Sequence, residues 1–261
     1  MSTEVLKRKI GFDPFITFHE IPHTYNDPDG VEYTPVSTVL HTFCRPFNSA
    51  SVSYGMTGGD SRAQEELLRQ WEHKKNYAAD YGTRVHKILE DYFKTGQCPD
   101  QYREIVEDIV SYMRPYERVL PEMQFYSVKH KVAGTSDLPF VRRSFKGENG
   151  RMVEQLDIGD YKTNTAHGIR TSGTYWSGNK YKHKEYMLGP WSHLEETEYN
   201  KYALQLSMYG YMAELVYNVK IGRLFLLNIQ LNGRVKPIPI PYMRYEAEIG
   251  LDAYSKLQKI A

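Results

Sequence analysis

The chain has 261 residues, enough for one large domain or two small ones, and its 41% apolar content supplies a buried core, which excludes a disordered tail. With 33 Lys and Arg against 32 Asp and Glu the net charge is +1, so there is no global basic excess of the histone or polybasic kind, and any anion site must be local. The two cysteines, Cys44 and Cys98, form no CxxC pair, which excludes a disulfide scaffold, a four-cysteine iron–sulfur cluster and a cysteine zinc ribbon.

A reducing, cytoplasmic setting is expected, because the N-terminal residues lack an apolar h-region and the densest apolar run, 224–227, is too short to span a bilayer. Tyrosine is abundant, at 22 residues, and can both pack and hydrogen bond. Along the chain, β-prone runs at Phe15 to Phe18 and Val31 to Thr34 flank the turn residues Asn26-Asp27-Pro28-Asp29-Gly30, which predicts a small hairpin. Ser61 with Gln64 forms a capping box for a helix to about Tyr77. A second helix is expected from Thr83 to about Lys94, with Val85, Ile88, Leu89, Tyr92 and Phe93 as its apolar stripe and Gly96 just past its end. Asp100 is positioned to cap a third, carrying Ile105, Val106, Ile109, Val110 and Met113.

From Glu122 the period changes to two, and Met123 to Val128, Val132 to Val141 and Met152 to Tyr161 read as strands. A Tyr/Lys/Gly-rich segment from 164 to about 194 precedes a helix from Glu198 to Asn218 that is apolar nearly all round, as a buried helix should be. Gly222 to Leu231 reads as a strand, Val235 to Tyr242 as a proline-studded edge strand, and the C-terminal residues as helical. There is no internal repeat and no dividing linker. The expectation is one α/β domain over 1–261, with an N-terminal hairpin extension at 12–60, a helical region at 61–118 and the core at 120–242.

The sharpest motif is Gly159-Asp160-Tyr161-Lys162-Thr163 at a predicted strand end. Alternation along the strand puts Asp160 and Lys162 on one face and Tyr161 on the other. Upstream, Gly134-Thr135-Ser136-Asp137 supplies a second carboxylate, which a hairpin pairing brings toward Asp160. Two converging carboxylates make a hard-oxygen site suited to Mg²⁺ or Mn²⁺, beside which a lysine can orient an attacking water. Gly82, His86 and Glu90 follow at i+4 steps on one side of a helix, offering an imidazole ligand and a further acid, and Gln205 and Tyr209 are likewise four apart.

This ordered set, GxxxHxxxE, GxxD, DYKT and QxxxY, resembles the PD-(D/E)XK nuclease superfamily and its RecB-like branch. Within that branch the Tyr25…Gly30…Ser37 region, the run at 189–194 and Tyr202 to Leu206 are similar to exonucleases of the mitochondrial genome maintenance type and their viral relatives. The resemblance covers roughly residues 12 to 240. It implies a restriction-endonuclease-like core, an αβββαβ mixed sheet flanked by helices, with the N-terminal hairpin and a helical arch. It further implies metal-dependent DNA hydrolysis, with His86, Asp137, Asp160 and the Tyr161 carbonyl as ligands and Lys162 as catalytic lysine. Gln205 and Tyr209 correspond to positions that help hold the lysine and the nucleic acid backbone. The implied partner is DNA, single-stranded or with free ends, threaded beneath the arch past Arg62, Arg69, Lys74 and Lys75. Asp137 and Asp160 lie 23 positions apart, a longer interval than in compact relatives, which a lengthened hairpin at 142–151 accommodates. The absence of a cysteine cluster disfavours the iron–sulfur subfamilies.

Beside these stand plainer readings. A lone DxK triplet is often a surface ion pair, His86 beside an apolar stripe resembles a core histidine, and Glu90 has Lys87 and Lys94 in reach. Glu122 either contributes a carboxylate or caps a helix. His19 and His23 lack neighbouring carboxylates at suitable spacing and read as structural. The run from Tyr175 to Lys184, with Trp176, Lys180, Tyr181 and Lys182, interleaves aromatics and cations as a strand-stacking loop would, or is a solvated loop. Exonuclease and endonuclease chemistry share one active-site set. A non-catalytic nucleic-acid-binding accessory protein, a structure-specific endonuclease and an enzyme on RNA are the competing functions.

Overall fold

The computed structural model describes residues 9–11, 13, 15–21, 24–163, 168–176, 182–230 and 232–260. Strands β1 (Thr17–His19), β2 (Thr24–Asn26) and β3 (Glu32–Pro35) form an antiparallel meander, so the expected two-stranded hairpin has a third strand. Its turn forms because the Asp27 carboxylate accepts the Asp29 and Val31 N–H groups at 3.1 and 2.9 Å and Gly30 takes φ 78°. Helices α1 (Val36–Thr42) and α2 (Ser49–Met56) follow.

The two helices expected at 61–94 are one helix, α3 (Ser61–Thr95), of 35 residues. Its cap is Asp60, which accepts from Arg62 and Ala63 N–H, and not the Ser61/Gln64 box. Gln64 instead donates to the Ala50 carbonyl and Ser53 Oγ, tying α3 to α2. Gly96 ends α3 in the left-handed region at φ 77°. Asp100 caps nothing: it lies in a 3₁₀ turn (Asp100–Tyr102) and pairs with Arg103, where α4 (Arg103–Met113) begins.

Strands β4 (Arg118–Val119), β5 (Met123–Ser127), β6 (Val132–Ser136), β7 (Leu138–Lys146) and β8 (Met152–Lys162) come next. The single strand expected at 132–141 is two, divided at Asp137, and the halves belong to different sheets. One sheet has the order β1-β2-β3-β6-β5. After the hairpin of β9 (Thr174–Trp176) and β10 (Lys182–Lys184), a 3₁₀ turn (Gly189–Trp191) leads to α5 (Glu198–Val216), β11 (Val219–Ile229), β12 (Val235–Ile240) and α6 (Arg244–Gln258). The second sheet has the order β12-β11-β8-β7-β4, with β12 on its edge as its prolines require. Only β11 and β8 run parallel in it, so the sheet is mixed.

Both faces of this mixed sheet are covered, which is why Leu224 to Leu227 is apolar without alternation. Leu224 and Leu226, with Leu156 and Ile158, pack toward α5, α6 and α1. Phe225, Leu227 and Ile229, with Tyr161 and Phe140, pack against Val85 and Leu89 of α3 and Ile105, Val106 and Ile109 of α4. Helix α5 lies between the two sheets, since its core also takes in Phe125 and Val132. The protein is therefore α/β, with helices on both faces of a mixed sheet. Among the described residues no helix is long and apolar enough to cross a membrane.

Candidate active site

Asp137 occupies the crossing from one sheet to the other, between Ser136, which pairs with Met123, and Leu138, which pairs with Gly159. The Ser136 hydroxyl fixes the crossing by donating to the Gly159 carbonyl at 3.0 Å. The Asp137 carboxylate accepts the Tyr161 backbone N–H at 2.7 Å, which seats it beside the end of β8. Its same oxygen, Oδ2, lies 3.5 Å from Nδ1 of His86 on α3. Asp160 and Lys162 share the α5 side of β8 and are paired with each other. The predicted members His86, Asp137, Asp160 and Lys162 are thus brought together, and Tyr161 lies between them in sequence with its ring on the opposite face, edge-on to His86 at 5.5 Å.

Two glycines of the motifs are required by close approach. A Cβ on Gly82 would stand 2.9 Å from Thr163 Oγ1, so glycine lets α3 pass the end of β8 and deliver His86. A Cβ on Gly134 would stand 2.7 Å from the Tyr209 ring, so the GxxD glycine makes room for the QxxxY tyrosine. Gln205 donates to the Tyr209 hydroxyl at 2.9 Å, and Tyr209 stacks on Phe125 at 5.8 Å.

Glu122 joins the centre. It is the residue before β5, in the left-handed region at φ 55°, a conformation that a side chain of its kind rarely adopts, and its N–H donates to the Asp137 carbonyl at 3.2 Å. Burial, then the Asp137 charge and that of Glu90, pushes its carboxyl up to about 8. Burial and the Asp137 charge raise Asp160 to about 6, in spite of Lys162. Asp137 feels burial in the same sense, but the hydrogen bond and charge of His86, the Lys162 charge and the Tyr161 N–H outweigh it and hold it low. His86 is raised: burial opposes its charge, and Asp137 with Asp160 prevails. Burial likewise opposes the charge of Lys162, but Asp160 and Asp137 hold its ammonium above the ordinary lysine range. In this arrangement it is a cation, and its chemistry is electrostatic.

The donor set fits a hard divalent cation in kind: the buried or half-buried carboxylates of Asp137, Asp160 and Glu122, an imidazole and the Tyr161 carbonyl. The donors do not converge on a single point: among the described residues no group of three or more His, Cys, Asp or Glu has metal-holding geometry. The Lys162 ammonium sits on Asp160 instead.

The remaining predicted residues distribute as follows. Glu90 pairs with Lys87 at 3.3 Å and with Lys94, and reaches the centre only through its charge on Glu122. Lys184 pairs with Glu195. Tyr175 and Trp176 lie on β9 and Lys182 on β10, in register Tyr175 with His183 and Trp176 with Lys182. Lys180, Tyr181 and His23 lie outside the described residues, and His19 is an exposed residue of β1. Arg62, Arg69, Lys74 and Lys75 are exposed on α3, Arg69 paired with Glu66.

Two residues of the centre escaped the sequence reading. Tyr202 of α5 places its ring centroid 4.7 Å from Lys162 Nζ. Asn228 is the register partner of Lys162 on β11, and its buried Oδ1 has no hydrogen-bond partner among the described residues. A lone Asn closing an apolar strand was the available signal for the second. No family model matches the chain, and no curated protein matches it.

Proposed function

We propose that the protein is a divalent-metal-dependent DNA nuclease of the PD-(D/E)XK type, cutting phosphodiester bonds from the ends of single-stranded or end-bearing DNA. The observation that carries this reading is the meeting of Asp137, Asp160, Lys162 and His86 at the end of β8. The order of elements is compatible with it in part: α3 precedes the β7–β8 hairpin, and α5 leads into β11, which pairs parallel to β8 in the same sheet, while β6 lies in the other sheet.

Asp137, Asp160 and the Tyr161 carbonyl, with His86, would hold Mg²⁺ or Mn²⁺, which supplies Lewis acidity and a water of lowered pKa. Lys162 sets a fixed positive charge beside the attacked phosphate, where negative charge develops. His86 orients Asp137, and Asp137 in turn fixes the backbone of Tyr161. The exposed cations of α3 offer the strand a path, with Phe47 and Trp71, whose ring centroids are 6.2 Å apart, at the base of the α2–α3 pair.

A time course on end-labelled linear and on circular single-stranded DNA, with Mg²⁺, Mn²⁺ or EDTA, tests this for wild type and Lys162→Ala. Metal-dependent shortening of linear strands by wild type alone is expected. Absence of cleavage by wild type contradicts the enzyme reading, and cutting of circles replaces the exonuclease by an endonuclease.

A further inference from the structure

Helix α5 presents Tyr202, Gln205 and Tyr209 at helical spacing toward the site, and the QxxxY pair was expected to hold the lysine. The polar contact made by that pair is internal, Gln205 to Tyr209. The ring that meets the lysine is that of Tyr202, one turn earlier. A cation over a tyrosine face is attracted by the ring's negative face, the more so where water is partly excluded.

The ammonium of Lys162 has three N–H donors, and Asp160 takes one. On the next strand, Asn228 stands in parallel register with Lys162 as Leu226 does with Asp160. Leu224 and Leu226 face α5, so by alternation Asn228 does too, on the same side as Lys162 and Tyr202. Asn228 is only 2% exposed, and among the described residues its Oδ1 is an acceptor without a donor. An acceptor buried without a donor forfeits its hydration, so a donor brought to it is favoured.

We propose that the Tyr202 ring and the Asn228 amide oxygen form a second seat for the Lys162 ammonium, next to the one on Asp160, and are positioning residues for that lysine. The seat keeps the cation at the site when the Asp160 carboxylate is engaged elsewhere. The inference rests on the nuclease reading for the purpose of the lysine, but its geometry is testable without cleavage.

In protein carrying ¹³C-labelled lysine, the ring should displace one Cε–Hε signal upfield. That signal should vanish in Lys162→Met, remain in Tyr202→Phe and return among the other lysines in Tyr202→Leu, or in Tyr202→Met should the leucine variant not fold. No displaced lysine signal in wild type, or one that persists in Tyr202→Leu, overturns the seat. In cleavage assays Tyr202→Leu should lower kcat about tenfold with DNA affinity unchanged, while Tyr202→Phe stays near wild type. Asn228→Leu should lower kcat less and keep the displaced signal. Equal losses for Tyr202→Phe and Tyr202→Leu, or unchanged kcat in both Tyr202→Leu and Asn228→Leu, contradict it. Were wild type to cut no DNA, the nuclease reading would fall and the lysine spectra would still decide the seat.

Discussion

Strand β8 carries two buried aspartates three residues apart, Asp157 and Asp160, on opposite faces of one sheet. Asp157 Oδ2 accepts from Arg142 Nε and Arg223 Nε, both at 2.8 Å, and its Oδ1 accepts the Arg223 N–H at 3.0 Å. Both arginines lie where the pairing of β8 with its neighbours is irregular, between Val141 and Arg143 and between Ile221 and Leu224. A doubly paired carboxylate at two bulges is a structural clasp. Asp160 has one lysine, and burial and the charge of Asp137 hold its proton affinity up. Burial alone does not separate a structural acid from a functional one; the sign of the neighbouring charge does.

The comparison is sharpest when each aspartate is neutralised in turn. Asp160→Asn or Lys162→Ala should lower metal-dependent cleavage by about 10³-fold with the far-ultraviolet circular dichroism and melting temperature close to wild type. Asp157→Asn should do the reverse, leaving Arg142 and Arg223 short of a counter-charge. A loss of about 3–5 kcal/mol in urea unfolding is expected, with cleavage per folded molecule retained. Equal effects of the two substitutions on cleavage would erase the distinction.

Glu122 tests the crowding of charge from the stability side. Its proton affinity is higher folded than unfolded, so its contribution to stability is fully present below pH 4.5 and is lost as pH rises toward about 8. Glu122→Gln should therefore stabilise the protein by up to about 3 kcal/mol at pH 7 and by nothing at pH 4, in urea titrations at the two pH values. Gly134→Ala, which pushes a methyl into the Tyr209 ring, should cost about 1–3 kcal/mol and lower cleavage in step with the displacement of α5.

Much of this was legible in the sequence because periodicity and turn chemistry are local. The β-strand from Met152, the apolar strand β11, the buried α5 and the C-cap at Gly96 follow from patterns within each segment. The break of the expected strand at Asp137 was hidden, because alternation continues through a residue at which the chain changes sheets. The fusion of two helices into α3 was hidden for a related reason. The gap left between Tyr77 and Thr83 is helical as well, and the glycine at 82 is there because a Cβ would crowd Thr163 Oγ1. In the site, spacing identified which residues share a helix face, but not which of them meets the lysine. Tyr202 sits one turn before Gln205 on the same face, and only the tertiary packing shows that its ring takes the Lys162 ammonium while Gln205 turns to Tyr209. Glu122 required knowing that a left-handed turn places it against Asp137.

The most direct test of the central claim, that the carboxylates at the end of β8 form a divalent-cation centre, is calorimetric titration of Mn²⁺ into the protein. Wild type at pH 7.5 should show saturable binding that weakens as pH falls through about 6, where Asp160 takes up a proton, and that is lost in Asp160→Asn. Binding of the same strength in Asp160→Asn, or no saturable binding by wild type, would contradict it.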